Sequence, residues 1–276
     1  KPQVTVGIIW NERHRHLMDC LHSIKIQGYS TLDVLILDNR ATLNGKDGIA
    51  QDLATFEPRY VRPERVLCAG AARNFLAGRA DGDYLLTIDA DSTLVPFAVE
   101  KLVTMAIRAE AVVVSAPELG GETSETIAGP GGMYVAGLIR GADRGKGFSL
   151  VSIQFLREFG YLEDEDTDTD GAEITWAALA TGERVAYYPF PLGERRREPS
   201  VAGASAYASR LTRQYQMRQY LAQIPPSRWS RRQVHMLLAA IQQLQAHPSA
   251  DAPSLTTETL RLQTELNWAR TRITGM

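Results

Sequence analysis

The chain has 276 residues, enough for one large domain or two small ones, and its 22% charged and 44% hydrophobic residues are ordinary for a globular protein. A formal net charge of −2 gives no overall attraction to nucleic acid or membranes, and two cysteines are too few for a disulfide framework or a zinc knuckle. Because the two cysteines are few and far apart in the sequence, we expect both to be reduced. No apolar run reaches the roughly 20 residues that a membrane span needs, and we expect a cytoplasmic location.

The first half of the sequence alternates short apolar runs with segments of helical periodicity. The apolar runs predict buried strands, and the segments between them predict helices. In chain order these elements are a strand at Val4–Trp10, a helix ending near Gly28, a strand at Leu32–Asp38, a helix at Ala69–Ala80, a strand at Tyr84–Asp89, a helix from about Pro96 to Arg108, and a strand at Ala111–Ala116. This alternation implies βαβ units and a mainly parallel sheet.

The second half is less regular and differs in composition from the first. Its segments are a glycine-rich stretch at 120–147, an apolar pattern at 148–162, an acidic run at 163–173, a helix at 174–180, a strand at 184–190, a basic segment at 195–232, and two amphipathic helices at the end. We therefore predict one large domain at 1–222, with halves at about 1–118 and 119–222, and a helical extension at 223–276.

Two carboxylates, Asp89 and Asp91, come directly after a predicted buried strand. In parallel sheets, ligands bind at the carboxyl ends of the strands. Two neighbouring carboxylates repel each other unless a positive group joins them, and a divalent cation is the usual solution. The alternative without a ligand is that Asp91, with Ser92 and Thr93, caps the next helix.

Two other motifs offer alternative functions. Asp89 to Thr93 spell D-x-D-x-T, which resembles the nucleophile motif of haloacid-dehalogenase phosphatases, in which Asp89 would attack phosphorus. That motif normally lies on the first strand of its domain, whereas here two strands precede it. Asp166–Gly171 resembles the opening of an EF-hand calcium loop, but the glutamate expected at its twelfth position is replaced by Ala177.

The order of segments from Val4 to Leu221 resembles the family 2 glycosyltransferases of the GT-A fold. The most specific matches are "ARNFLAGRADGDYLLTIDAD", "GYLEDED" and "TGERVAYYP", and an Arg/Tyr-rich segment, "RLTRQYQMRQYL", follows them. The resemblance implies a Rossmann-like, mainly parallel sheet flanked by helices, with extra C-terminal helices. It also implies that 1–222 is catalytic, with a nucleotide-binding half at 1–118 and an acceptor half at 119–222.

The resemblance implies an inverting, metal-dependent hexosyltransferase. It would move a sugar from a nucleoside-diphosphate sugar, with a UDP-sugar favoured, to a hydroxyl of a glycan, a lipid-linked acceptor or a small molecule. Mn²⁺ or Mg²⁺ would be held mainly by Asp91, with Asp89 contacting the donor and reaching the metal through water. A nucleotide-sugar binding protein without catalytic activity stays open as a further alternative.

The resemblance also assigns roles to individual residues. The donor-binding residues that it implies are Ile9, Trp10, Asn11, Glu12, Asp38, Arg73, Asn74, Asp89, Ala90 and Asp91. Asp38 would accept a hydrogen bond from the base, and Arg73 would lie near the diphosphate or the donor sugar. The base that deprotonates the acceptor would be Asp170, with Asp168 and Glu173 as rivals.

The sequence departs from the family pattern in three places. The acidic pair that opens a helix is normally Glu-Asp, but Asp170 and Gly171 stand there, with Glu173 at the later acidic position. Ile9 and Trp10 replace the usual Pro-Thr-Tyr, so Trp10 would either stack on the base or belong to the core. The usual histidine after the "Y-x-P" strand is missing. There, Arg195 to Arg197 would hold the diphosphate, Glu194 would stand in at the metal, or the loop would simply be solvated.

The basic segment from Arg195 to Arg232 permits two kinds of partner besides being a solvated helix face. One is an acceptor that carries phosphate, and the other is the inner face of a membrane, contacted peripherally. The C-terminal helices offer a surface for pairing two copies of the chain.

Overall fold

The computed structural model describes residues 1–11, 14–41, 53, 56–119, 147–161, 163, 172–188 and 190–195. The glycine-rich stretch, most of the acidic run, and all residues beyond Arg195 lie outside this part. The division into a domain at 1–222 and a helical extension at 223–276 therefore stays a prediction, as does any role for Glu12, Asp168 or Asp170.

The described residues form nine strands and five helices. The strands are β1 (Val4–Trp10), β2 (Leu32–Asp38), β3 (Arg59–Val61), β4 (Tyr84–Asp89), β5 (Ser92–Leu94), β6 (Val113–Pro117), β7 (Gly147–Ser152), β8 (Val185–Tyr187) and β9 (Gly193–Arg195). The helices are α1 (His14–Lys25), α2 (Ala69–Ala77), α3 (Ala98–Ala109), α4 (Ile153–Phe159) and α5 (Ala172–Thr181). In this part of the chain, no helix is both long and apolar enough to cross a membrane.

Seven of the strands form one sheet in the order β3-β2-β1-β4-β7-β6-β8. Strand β7 runs antiparallel to both of its neighbours, and the other pairs are parallel, which confirms the predicted mainly parallel sheet. All seven residues of β1 are buried, because helices cover both faces of the sheet. This two-sided burial explains why β1, β2 and β4 appear in the sequence as continuous apolar runs.

Two hydrophobic cores lie on opposite faces of the sheet. Alternate residues of β1 enter different cores, so Ile8 and Trp10 pack with helices α1 and α3, whereas Ile9 packs with α2, α4 and α5. Helix α1 contributes Leu17 and Leu21, one turn apart on its buried face. Each such fully buried side chain stabilises the fold by about 1.5–3 kcal/mol before entropy is counted.

The structure differs from the sequence predictions mainly in three short strands. Strands β3, β5 and β9 each have three residues, and no long apolar run marks them. Because residues 92–94 form β5, they do not begin a helix, and α3 starts only at Ala98, after Phe97 in a left-handed conformation (φ 64°). The interpretation of Asp91 as a helix cap is therefore wrong.

Both cysteines are free thiols, as predicted. Burial raises the pKa of Cys20, and the nearby Asp91 and Asp89 raise it further, so this thiol stays protonated. Cys68 is only half-buried.

A close backbone approach at Gly193 joins β9 to β5. Gly193 lies opposite Leu94, and a Cβ atom there would lie 2.3 Å from the Thr93 carbonyl oxygen and 2.7 Å from the Phe148 ring. We expect Gly193→Ala to lower the free energy of unfolding by about 1–3 kcal/mol, because backbone must move to make room. Urea unfolding would measure this loss.

Gly78→Ala is the matched control for this prediction. A Cβ atom at Gly78 would meet nothing closer than the Asn74 carbonyl oxygen at 3.5 Å, and its backbone is already helical. Equal stability losses in the two variants would contradict the close approach as the cause.

Candidate active site

The ends of three parallel strands bring the predicted donor-binding residues to one edge of the sheet. Trp10 lies opposite Asp38, and Ile9 lies opposite Asp89, so β1 separates the two aspartates. Two strand spacings place their backbones roughly 10 Å apart. The sheet topology therefore forms a site with an acidic residue on each side of the end of β1.

Arg195 joins the two carboxylates that follow β4. Its Nη2 atom lies 3.0 Å from Asp89 Oδ2, and its Nε atom donates to Asp91 Oδ2 at 3.1 Å. Strand β9 pairs with β5 so that Arg195 lies opposite Ser92, directly beside the aspartates. Burial lowers the pKa of Arg195, but Asp89, Asp91 and Glu118 together raise it above its ordinary value, so the guanidinium stays charged.

One oxygen of this cluster has no hydrogen-bond partner among the described residues. It is Asp91 Oδ1, which is buried. The buried Glu118 adds a third carboxylate close enough to affect Arg195. In their ionised forms three carboxylates and one guanidinium leave two negative charges, which fits a divalent cation with oxygen ligands.

The described part of the chain holds no group of three or more His, Cys, Asp or Glu side chains that could hold a metal by themselves. This is compatible with Mg²⁺ or Mn²⁺, since Mg²⁺ is commonly bound by one or two carboxylates together with substrate phosphates and water. The donor set at Asp89 and Asp91 therefore fits a metal that is shared with a phosphate-bearing ligand.

Asp38 is buried at the end of β2 and accepts several hydrogen bonds. Arg40 donates from Nε to Oδ1 at 2.9 Å and from Nη2 to Oδ2 at 3.1 Å, Arg62 Nη1 donates to Oδ2 at 2.7 Å, and the Tyr60 hydroxyl also donates to Oδ2. Burial by itself would raise the pKa of Asp38, but the hydrogen bonds from Arg40 and Tyr60 lower it to about 2. The carboxylate is therefore ionised at neutral pH.

Trp10 lies next to Asp38 and is fully buried. The Arg40 guanidinium covers its ring, with 3.5 Å between the guanidinium carbon and the ring centroid. The Trp10 Nε1 atom has no hydrogen-bond partner in the part of the chain that the structure describes.

Asn39 follows Asp38 in the sequence, is buried and connects two loops, because its side-chain amide donates to Asn11 Oδ1 and to the Leu67 carbonyl oxygen.

Helix α2 carries Arg73 and Asn74 to the segment that follows α4. Asn74 ties α2 to the segment after α4, since its side chain donates to the Tyr161 carbonyl oxygen at 2.8 Å and accepts from the Tyr161 amide at 2.6 Å. Arg73 lies over the Tyr161 ring at 5.6 Å. Burial raises the pKa of Tyr161, Arg73 lowers it and Glu173 raises it, which places both charged groups near this ring.

Of the remaining predicted site residues, the structure describes Ile9, Ala90 and Glu173. Ile9 and Ala90 are buried, and the Ala90 amide donates to the Ile9 carbonyl oxygen at 3.0 Å, so these two residues shape the backbone at the strand ends. Glu173 is buried at the start of α5. Glu12, Asp168 and Asp170 lie outside the described residues.

A family model described as glycosyl transferase family 2 matches residues 7–144, which is half of the 276-residue chain. The chain belongs to glycosyl transferase family 2. It is therefore a glycosyltransferase, and the haloacid-dehalogenase alternative for Asp89 loses its basis. The matched residues of this family 2 enzyme include Asp38, Arg73, Asp89 and Asp91, whereas Glu173 and Arg195 lie beyond them.

Solved structures of two proteins share the fold of this family 2 glycosyltransferase. S. aureus TarS 1–349 in complex with UDP-GlcNAc has a TM-score of 0.64 and 10% sequence identity, over 92% of this chain and 76% of that one. The mannosyltransferase PcManGT from Pyrobaculum calidifontis, in complex with GDP-Man and Mn²⁺, has a TM-score of 0.59 and 15% identity, over 95% and 80% of the two chains. These likenesses show the GT-A fold. No curated protein sequence matches the chain.

Sequence reasoning did not identify four residues that shape the site of this family 2 enzyme: Arg40, Tyr60, Arg62 and Glu118. Arg40 had a local signal, because it follows Asp38 by only two residues. The other three had none, since their placement depends on β3 pairing with β2 and on β6 lying in the same sheet.

Proposed function

We propose that this protein is an inverting glycosyltransferase that moves a sugar from a nucleoside-diphosphate sugar to an acceptor hydroxyl. The observation that carries the proposal is the pair Asp89 and Asp91 at the end of β4, joined by Arg195, with Asp91 Oδ1 left unpartnered among the described residues. Such a cluster of fixed charges suits a reaction in which a diphosphate leaves with additional negative charge.

Asp91 and Asp89 would hold the metal, which we infer to be Mn²⁺ or Mg²⁺. When bound, the ion neutralises negative charge that develops on the leaving diphosphate. The complex of the mannosyltransferase PcManGT with GDP-Man and Mn²⁺ supports a divalent ion here. The complex of TarS with UDP-GlcNAc supports a UDP-sugar donor.

Arg195 and Arg73 are the two cations that we assign to the donor phosphates. Pairing of β9 with β5 holds Arg195 beside the aspartates, so little side-chain reorganisation is needed when charge develops. Arg73 projects from α2, in the stretch that resembles the family most specifically. Asp38 would accept a hydrogen bond from an N–H of the donor base, as uracil or guanine provides.

Inversion requires a carboxylate on the face of the sugar opposite the leaving diphosphate, where it deprotonates the attacking hydroxyl. Glu173 is only 1% exposed, so an acceptor from solvent has little access to it in this conformation. We therefore assign the base to Asp170 or Asp168, which precede Glu173 in the chain. A single displacement then inverts the anomeric centre.

We also infer the acceptor and the surroundings of the enzyme from the composition of the second half. The basic segment from Arg195 to Arg232 suits a phosphate-bearing or lipid-linked acceptor and peripheral contact with an anionic membrane surface. The C-terminal helices at 223–276 would pair two copies. Vesicle co-sedimentation at low and high salt and the measured solution mass test these two inferences.

A thermal-shift panel followed by a turnover assay tests the proposed function. UDP, GDP, dTDP and CMP are added with and without Mn²⁺ to the wild type and to Asp91→Ala. We expect one nucleoside diphosphate to raise the melting temperature, more strongly with Mn²⁺, and the metal-dependent part to vanish in Asp91→Ala. The matching nucleotide sugar is then followed by proton NMR, and a product of inverted anomeric configuration is expected.

Three outcomes would contradict parts of this proposal. If no nucleotide raised the melting temperature of the wild type, the proposed donor site would be contradicted. Binding without transfer or hydrolysis of the donor would identify a nucleotide-sugar binding protein, and retained anomeric configuration would exclude the single displacement.

A further inference from the structure

We propose that the Arg40 guanidinium occupies the position of the nucleobase, between Asp38 and Trp10, and that the base of the donor must displace it. We call Arg40 in this position the placeholder. This inference rests on the proposed function, because it concerns the donor of the same enzyme. It adds a residue that controls donor affinity and that the sequence resemblance does not assign.

The first argument is the way in which Arg40 is held. Its planar guanidinium lies 3.5 Å from the centroid of the Trp10 ring, while its edge donates two hydrogen bonds to Asp38 at 2.9 and 3.1 Å. A flat group that stacks on an aromatic ring and donates N–H groups to a carboxylate is bound as proteins bind a nucleobase. Arg40 thus makes the contacts that a base would make at this place.

The second argument is that Asp38 stays paired when Arg40 leaves. Its Oδ2 atom also accepts from the Tyr60 hydroxyl and from Arg62 at 2.7 Å. Within the described residues, the hydrogen bonds to Oδ1 come from Arg40 itself, through Nε at 2.9 Å and the backbone amide at 3.2 Å. Displacement of the Arg40 side chain therefore opens Oδ1 to a ligand while Oδ2 remains satisfied.

The third argument concerns charge and donor direction. With Arg40 withdrawn, Asp38 and Arg62 form a neutral pair, which suits an uncharged base. An ionised carboxylate only accepts hydrogen bonds, so the base must present an N–H. Uracil and guanine do so at the ring nitrogen of their pairing edge, whereas adenine has an acceptor there and an N–H only on its exocyclic amine.

A matched control exists for the stacking contact. Arg79 covers the Phe75 ring at 3.4 Å, close to the spacing of Arg40 over Trp10, but its Nη1 atom donates to the Phe75 carbonyl oxygen rather than to an aspartate. Arg79→Ala therefore removes an arginine stacked on an aromatic ring without touching Asp38. A general effect of losing such an arginine would appear in both variants.

Isothermal titration of UDP, GDP and ADP into the wild type, Arg40→Ala and Arg79→Ala tests the placeholder. We expect Arg40→Ala to bind UDP or GDP about tenfold more tightly than the wild type, because a competing contact like one charge-assisted hydrogen bond is removed. The affinity for ADP should rise less, because adenine lacks the ring N–H, and Arg79→Ala should bind all three nucleotides as the wild type does. If Arg40→Ala does not fold, Arg40→Gln is used instead, because glutamine lacks the guanidinium that donates to both Asp38 oxygens.

The outcomes separate this inference from the proposed function. If a folded Arg40 variant binds UDP and GDP no more tightly than the wild type does, the placeholder is overturned. The proposed function remains intact in that case, as long as the wild type itself binds UDP or GDP. An equal gain for ADP also overturns the placeholder, since emptied space rather than N–H recognition would then explain the gain. Binding by the variant alone supports both, and binding by neither protein overturns both.

Discussion

Replacing Asp91 with asparagine is expected to lower the rate of sugar transfer by about 10²–10³-fold while the protein stays folded, a loss comparable to removing one transition-state hydrogen-bond donor. The amide keeps the size of the side chain but removes the negative charge that would hold a cation at the leaving diphosphate. Because Asp91 Oδ1 has no hydrogen-bond partner among the described residues, the asparagine oxygen can keep accepting from Arg195, and the substitution mainly removes the charge. The initial rate of nucleoside-diphosphate release from the donor measures the effect.

Asp33→Asn is the matched control for Asp91→Asn. Asp33 also pairs with an arginine, Arg59, but it lies near the start of β2, opposite Thr5 and away from the strand ends that form the site. Its release rate should stay near that of the wild type. A similar loss in both variants would mean that general destabilisation, and not the charge at Asp91, explains the lower rate.

Replacing Asp38 with alanine is expected to lower the free energy of unfolding by about 3 kcal/mol, because Arg40 and Arg62 lose the buried carboxylate that pairs with both. The Asp38 side chain is fully buried, whereas Asp33 on the same strand is partly exposed and pairs with a more exposed arginine. Asp33→Ala should therefore cost no more than about 1 kcal/mol. Urea unfolding at pH 7 compares the two variants, and equal losses would contradict the difference in burial as the cause.

Stability at low pH gives a second readout for Asp38. Its pKa is lowered from 3.8 to about 2 in the folded protein, so the folded state binds the proton more weakly than the unfolded state does. The resulting stabilisation is complete above about pH 5, is on the order of 2 kcal/mol, and is lost as the pH falls through about 2. Asp38→Ala should lack this part of the acid dependence, and an unchanged acid profile would contradict it.

The central strands and the acidic motif could be predicted from the sequence because their signals are local. β1, β2 and β4 begin and end where their apolar runs do, since burial on both faces of a sheet leaves a continuous pattern. Asp89 and Asp91 could be predicted to lie at a ligand-binding edge, because the carboxyl ends of parallel strands form such edges. Segment order was then enough to indicate the family.

The partners of these residues depend on contacts between distant segments, which local patterns do not report. Arg195 reaches Asp91 across 104 positions of the chain, because a three-residue strand, β9, pairs with another three-residue strand, β5. Tyr60 and Arg62 reach Asp38 only because β3 pairs with β2. Asn74, which the family motif suggested as a donor contact, uses its side chain to tie α2 to Tyr161.

The sequence by itself thus determined the class of fold, the family and the acidic residues at the strand ends. Only the tertiary structure decided which cations neutralise those residues: Arg195 at Asp89 and Asp91, and Arg40 with Arg62 at Asp38. The physical reason is that periodicity and burial are encoded along short stretches of chain. The pairing of charges is decided instead by how short strands and turns meet in space, where a buried carboxylate must find a counterion.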